Sequence, residues 1–158
     1  VLKVLTKYCH PTTCRYMVIL RLGGVYADID VECKQPLDSI ILASDTLLAG
    51  WDSELVQPQL AAQQGFPRQR QLASWFFAAA PGHPVLRQLC DHIAHHARTV
   101  FANSSVRDTQ ERTGQGVWTD LVLQQALNHP AAKVSSAQQE LQGQQLGSRG
   151  VAVACHCC

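Results

Sequence analysis

Asp28 and Asp30 stand two residues apart at the end of the run Gly23-Gly24-Val25-Tyr26-Ala27-Asp28-Ile29-Asp30. Val25, Ala27, Ile29 and Val31 alternate with Tyr26, Asp28 and Asp30, which predicts a short strand with both carboxylates on one side. Their Cα atoms would then lie about 6.5 Å apart. Two carboxylates so placed can share one hard divalent cation, directly or through water. Mg²⁺ and Mn²⁺ suit such oxygen ligands and keep positions open for a substrate phosphate. A diphosphate leaving group needs that neutralising charge. Gly23 and Gly24 let the chain turn sharply and leave room beside a ligand. Taken alone, the same pair also fits two solvated aspartates at a strand end. A phosphatase-type site with Asp28 as nucleophile is the last-ranked alternative.

Other reactive side chains carry weaker signals. Arg15 lies on a predicted helix, where an arginine is usually exposed or ion-paired. His83 sits in a turn between Gly82 and Pro84. His92 and His96 have the i, i+4 spacing of a metal pair, but no HExxH surrounds them, so a solvated face is the better reading. Trp118 reads first as a core aromatic. Asp120, four residues after Gly116, favours a helix N-terminus electrostatically. The seven cysteines show no zinc-finger spacing, and their odd number cannot pair fully within one chain. Cys155, His156, Cys157 and Cys158 crowd together too closely for one unstrained tetrahedral site.

The elements that must position these groups follow from apolar periodicity. Residues 12–22 read as a helix stopped by Gly23-Gly24. A turn or short helix is expected from Pro36 to Leu42, and a strand over 46–51. Residues 57–71, rich in Gln and broken by Pro58, Gly65 and Pro67, read as a surface loop. Residues 73–79 read as a buried strand, and Pro84 opens a helix reaching about Val100. A polar loop over 102–116 and a helix over 117–127 follow, then a weakly patterned stretch with a short helix over 137–146. Helices alternating with strands indicate an α/β domain.

Composition narrows the function classes. The chain has 158 residues and a net charge of +1, without the concentrated basic charge that nucleic acid or a membrane surface requires. No stretch of about 18 apolar residues exists to span a bilayer.

Three blocks carry a family resemblance. Arg15-Tyr16 with Gly23 to Val31 and Gln35-Pro36-Leu37-Asp38 resembles the DxD region of glycosyltransferase family 32. Trp75-Phe76-Phe77-Ala78-Ala79-Ala80-Pro81-Gly82-His83-Pro84 is similar to its fungal α-1,6-mannosyltransferase branch, as is Thr113-Gly114-Gln115-Gly116-Val117-Trp118-Thr119-Asp120. The resemblance implies a GT-A-like fold, a Rossmann-like nucleotide-sugar-binding sandwich. It implies retaining, metal-dependent transfer of mannose from GDP-mannose to a glycan, with Mn²⁺ or Mg²⁺ as cofactor. The alternatives are a UDP-sugar donor or an inactive nucleotide-sugar-binding remnant. By position, Asp28 and Asp30 would bind donor and metal. Arg15, Gly24 and Trp118 would line the donor site, and Asp120 would be catalytic. A luminal domain of a Golgi membrane protein is implied too, with Cys9, Cys14, Cys33 and Cys90 available for disulfides.

The resemblance has gaps. The family places an aspartate three residues before the helix arginine, where this chain has Thr12, and Pro11 suggests a later helix start. The closing histidine block and Gly-Ser-Trp are also missing, so His156 takes no metal role. The expected organisation is the central part of a GT-A domain over 1–130, incomplete at both ends, with a Gln- and Cys-rich tail over 131–158.

Overall fold

A computed structural model describes residues 11–33, 36–54, 58–100, 106–128 and 153–156. Helix α1 (Pro11–Leu22) starts at its proline rather than after it. A proline at the first helical position loses no bond, because that N–H has no partner within the helix. Tyr16 and Ile19 bury one face of α1. Gly23, at φ 68°, ends the helix in the left-handed region, and its N–H bonds the Ile19 carbonyl at 2.8 Å.

Strand β1 (Gly24–Ala27) is shorter than the alternation predicts. After Ala27, the Asp28 N–H still reaches the Trp75 carbonyl at 2.8 Å, but Val31 N–H turns back to the Asp28 carbonyl at 3.0 Å. The two aspartates therefore occupy a β-turn rather than one face of a strand. Ile29 is fully exposed, so no apolar burial holds the segment extended.

A 3-10 turn at Leu37–Ser39 leads to strand β2 (Asp45–Glu54). Helix α2 (Pro58–Gln63) and strand β3 (Arg70–Ala79) follow. Then come helices α3 (Pro84–Val100), α4 (Val106–Arg112) and α5 (Gln115–Asn128), and strand β4 (Val153–His156). Two of these correct the loops expected from sequence. Helix α2 interrupts the 57–71 segment, opened by Pro58 and anchored by buried Ala61. Helix α4 occupies the middle of 102–116. It is polar around its circumference, so it carries no apolar period, yet Asp108 and Arg112 sit at the ends that suit its dipole. The helix expected over 137–146, and Cys9 and Gln35, lie outside the described residues.

The expected α/β class is what is found. The strands lie in the order β1-β3-β2-β4, and every pairing among the described residues is antiparallel. Gly24 faces Ala79, Ala27 faces Phe76, and Glu54 faces Arg70. The C-terminal ends of β1 and β2 thus meet the N-terminal end of β3 along one edge of the sheet. Asp28, Trp75 and Asp52 are joined there by hydrogen bonds.

One sheet face holds the main core, where Leu47, Ala49 and Phe77 pack against Tyr16, Leu86, Leu89, Ile93, Trp118 and Val122 from the helices. Four rings tie the elements together. Phe77 lies 5.5 Å from Tyr16, 5.1 Å from Trp118 and 5.6 Å from Tyr26, centroid to centroid. These are tilted contacts within the favourable range for aromatic pairs. The other face is a smaller cluster of Leu48 and Ala78 with Ile40, Ile41 and Phe76.

Candidate functional site

Burial of Tyr16 turns its neighbour Arg15 toward the end of β1. The Arg15 guanidinium donates to the Ser74 carbonyl at 2.6 Å and lies 3.3 Å from Asp28 Oδ1. It also stacks 4.8 Å from the centre of the Tyr26 ring, a cation–π distance. The Tyr26 hydroxyl donates to the same Asp28 oxygen at 2.6 Å. Burial, and then the bond to Asp28, raises the Tyr26 phenol above its usual range, so it stays a donor. Asp28 is thereby fixed from three sides, with its N–H on Trp75 as the third restraint. Tyr26 is not among the site residues expected from sequence. Its spacing of two from Asp28 was the available signal.

Asp30 follows in the turn with its side chain exposed. No group of three or more metal-ligating side chains occurs among the described residues. Asp28 and Asp30 are two carboxylates, and Mg²⁺ or Mn²⁺ are commonly held by one or two carboxylates together with substrate phosphates. Among the described residues Asp30 offers an exposed carboxylate, and Asp28 keeps an oxygen beyond the one bonded to Arg15 and Tyr26.

Gly24 is not part of this cluster. It begins β1 opposite Ala79, about 10 Å of strand away from Ala27. A side chain there would meet nothing within 4 Å, so its glycine answers to φ 99° and not to crowding. Trp118 is also displaced from the expected role. It is 0% exposed, its indole N–H is spent on the Ala73 carbonyl at 3.0 Å, and its ring packs on Tyr16 and Phe77. It supports the site from beneath and has no surface to offer a ligand.

Asp120 is reached along β3. Thr119 accepts the Leu72 N–H at 3.0 Å, which seats α5 against the strand three residues from Trp75. Asp120 then points outward into a two-pronged ion pair. Arg68 Nε and an adjacent guanidinium nitrogen donate to its two oxygens at 2.9 and 2.6 Å. The remaining nitrogen donates to Glu111 at 2.9 Å and to the Pro67 carbonyl at 2.8 Å. The bond to Asp120, ahead of that to Glu111, raises the Arg68 pKa further above its already high value. Arg68 was missed because it sits in a segment that reads as loop.

Between the two clusters lies a polar group that sequence reasoning did not single out. Asp52 Oδ1 accepts the Trp75 indole N–H at 2.7 Å. Asp52 Oδ2 accepts the amides of Gln71 and Gln115 at 3.3 and 3.1 Å. Gln71 also donates to Gln115 at 2.7 Å.

The remaining candidates stand apart. His92 and His96 place their rings 4.3 Å apart on α3, away from this edge. Cys14 is disulfide-bonded, and Cys90 is a buried thiol. Burial, then the neighbouring Asp91, pushes the Cys90 thiol up to about 11, so it is inert packing.

Comparison with known proteins agrees with the family resemblance. Residues 12–47 match the glycosyltransferase sugar-binding region containing the DXD motif, which is consistent with a GT-A-like fold. The chain is 30% identical over 120 residues to the initiation-specific alpha-1,6-mannosyltransferase of Schizosaccharomyces pombe, covering 69% of this chain and 29% of that protein. It is 32% identical over 121 residues to HOC1 of Saccharomyces cerevisiae, covering 69% of this chain and 30% of that protein. A more distant match, 28% identical over 87 residues, is the inositol phosphoceramide mannosyltransferase 1 of Schizosaccharomyces pombe, covering 55% of this chain and 22% of that protein. The chain thus spans under a third of the length of the first two relatives.

Proposed function

We propose, for a chain whose residues 12–47 carry the DXD sugar-binding region of glycosyltransferases, that it forms the donor-binding edge of a retaining mannosyltransferase. The single observation that supports this most is the fixing of Asp28 by Arg15 and Tyr26 beside an exposed Asp30. The donor is GDP-mannose and the acceptor a glycan of the N-glycan outer-chain type. The relatives named alpha-1,6-mannosyltransferase support mannose as the sugar transferred, while the GDP carrier and the N-glycan acceptor follow from the family resemblance.

The chemistry asked of this edge is limited and concrete. The bond from the mannosyl anomeric carbon to the diphosphate oxygen breaks and GDP leaves with the electron pair, while the acceptor hydroxyl oxygen bonds to the same face and its proton passes to the leaving diphosphate oxygen. Bound Mn²⁺ or Mg²⁺ would neutralise the leaving diphosphate, held by Asp30 with Asp28. Arg15 places a positive charge next to Asp28, where the donor would lie. Asp28, immobilised by Tyr26, accepts hydrogen bonds from donor hydroxyls. Asp120, oriented by Arg68, faces the acceptor side. The phosphatase alternative ranks last, because it leaves the two later family blocks, over 75–84 and 113–120, without a role.

No helix among the described residues is long and apolar enough to cross a membrane. The Golgi lumen remains the proposed location through the family resemblance, and the disulfide at Cys14 suits an oxidising compartment. Thr12, in place of the family's donor-site aspartate, favours a second reading, a sugar-nucleotide-binding remnant without turnover. Titration calorimetry with Mn²⁺ and GDP-mannose tests the binding that both readings share. Saturable, Mn²⁺-dependent heat that vanishes in Asp30→Ala is expected, and absence of heat from the unaltered chain rejects both. Release of GDP with mannosylated acceptor then separates enzyme from remnant.

A further inference from the structure

We propose that Asp52 and Gln115, held in place by Gln71 and Trp75, form a subsite for the hydroxyls of a hexose ring, next to the Asp28 cluster. The assignment rests on the nucleotide-sugar reading for its biological setting, but its chemistry follows from counting donors and acceptors. An ionised carboxylate offers about four lone-pair positions. Asp52 uses three of them, on Trp75, Gln71 and Gln115. Gln71 spends both amide hydrogens, on Asp52 and Gln115, while its own carbonyl oxygen is buried without a hydrogen-bond partner. The Gln71 side chain is 0% exposed, so water does not satisfy that oxygen from bulk. What remains at the partly exposed rim is a spare position on Asp52, the open side of the Gln115 carbonyl and one Gln115 N–H.

This inventory is rich in acceptors and carries one negative charge. It suits a ligand that brings several O–H donors and accepts one bond in return, which is what adjacent sugar hydroxyls do. A diphosphate brings no donors at neutral pH and would be repelled by Asp52. A metal is not favoured either, since Asp52 is the one anionic group and its oxygens already hold N–H donors. The cluster is joined directly to the donor edge. Trp75 binds Asp28 through its carbonyl at 2.8 Å and Asp52 through its indole at 2.7 Å. The hexose can belong to the donor or to the acceptor, and the two sources call for separate measurements.

The test titrates the unaltered chain, Gln115→Ala and Asp52→Asn against GDP with Mn²⁺, GDP-mannose with Mn²⁺, and methyl α-mannoside. Both variants are expected to bind GDP like the unaltered chain. They should bind one of the two sugar-bearing ligands about tenfold more weakly, the loss of a hydrogen bond to a charged or fixed partner. Loss confined to GDP-mannose assigns the donor hexose, and loss confined to the mannoside assigns the acceptor. Unchanged sugar affinity in both variants overturns the subsite, as does a parallel loss across all three ligands. An unaltered chain that shows no sugar-dependent affinity also overturns it, even if GDP binds and the nucleotide reading survives. Mannoside binding without GDP binding has the opposite meaning: the subsite stands and the nucleotide-sugar reading falls.

Discussion

Arg68 holds Asp120 by two nearly parallel N–H···O bonds of 2.9 and 2.6 Å, across 52 residues of sequence. The same guanidinium binds Glu111 on α4, so one side chain joins the loop before β3 to two helices. Such a fork fixes the direction of a carboxylate as well as its charge.

Replacing Arg68 should therefore affect catalysis more than folding. The pair is partly exposed, 33% for Arg68 and 52% for Asp120, so water screens it and its loss should cost no more than about 1 kcal/mol of stability. Arg68→Lys keeps the charge but loses the planar fork. If Asp120 is catalytic, kcat for mannosyl transfer should fall roughly 10- to 100-fold in Arg68→Lys, as expected for a displaced acid–base group. KM for the donor should stay within about twofold, since a positioning residue acts on turnover rather than binding. Steady-state kinetics on an active protein containing this chain decides it. A purely structural ion pair would leave kcat untouched.

Tyr26→Phe isolates one restraint on Asp28. The ring still packs on Phe77 at 5.6 Å, and the bond of 2.6 Å from the hydroxyl disappears. Stability should change by less than about 1 kcal/mol, whereas GDP-mannose affinity should drop about five- to tenfold as Asp28 gains freedom. Calorimetric titration beside a urea melt separates the two effects. Equal affinity in both proteins would remove Tyr26 from the site.

Gly23 and Gly24 should respond differently to the same substitution. Both have positive φ, so alanine strains either backbone by about 1–2 kcal/mol. At Gly23 an added Cβ would also meet Pro81 Cδ at 2.6 Å and Pro81 N at 2.9 Å, whereas at Gly24 it meets nothing. Gly23→Ala should therefore cost roughly 2–4 kcal/mol, clearly more than Gly24→Ala. Urea unfolding of the two variants checks the order.

The parts of this architecture that sequence revealed are those with local signatures. The apolar spacing of Val85, Leu86, Leu89 and Ile93 marks α3, and the run through Phe76 and Phe77 marks β3, because burial imposes a period on neighbouring residues. The pair Asp28 and Asp30 was legible from residue type and spacing alone, although the turn they occupy was not. Its cause is a hydrogen bond from Val31 back to Asp28, which leaves no mark on residue type. Arg68, Asp52, Gln71 and Gln115 find partners 19 to 63 residues away, so no local pattern announces them. Trp118 was ambiguous because a large aromatic serves equally in a core or against a sugar. Only its burial among Tyr16, Phe77 and the Ala73 carbonyl resolves the choice.

Acid should loosen the start of α3. His83 stands just before Pro84, 4% exposed, and its Nδ1 accepts the Val85 N–H at 3.3 Å, which caps the helix. Burial lowers its pKa below the ordinary 6.5. The unfolded chain therefore binds the proton first as pH falls. The contribution of His83 is intact above about pH 6.5 and is lost progressively below it, as pH drops toward the folded value. Protonation also sets an Nδ1–H against the Val85 N–H, so the cap itself opens. His92, lowered by burial and by its neighbours His96 and His95, adds a loss of the same sign. His83→Asn keeps a capping acceptor without a titrating ring. It should match the unaltered protein within about 1 kcal/mol near pH 8 and lose less stability between about pH 7 and pH 5. Urea melts across that range measure the slope. Parallel slopes for the two proteins would show that His83 titrates alike in both states.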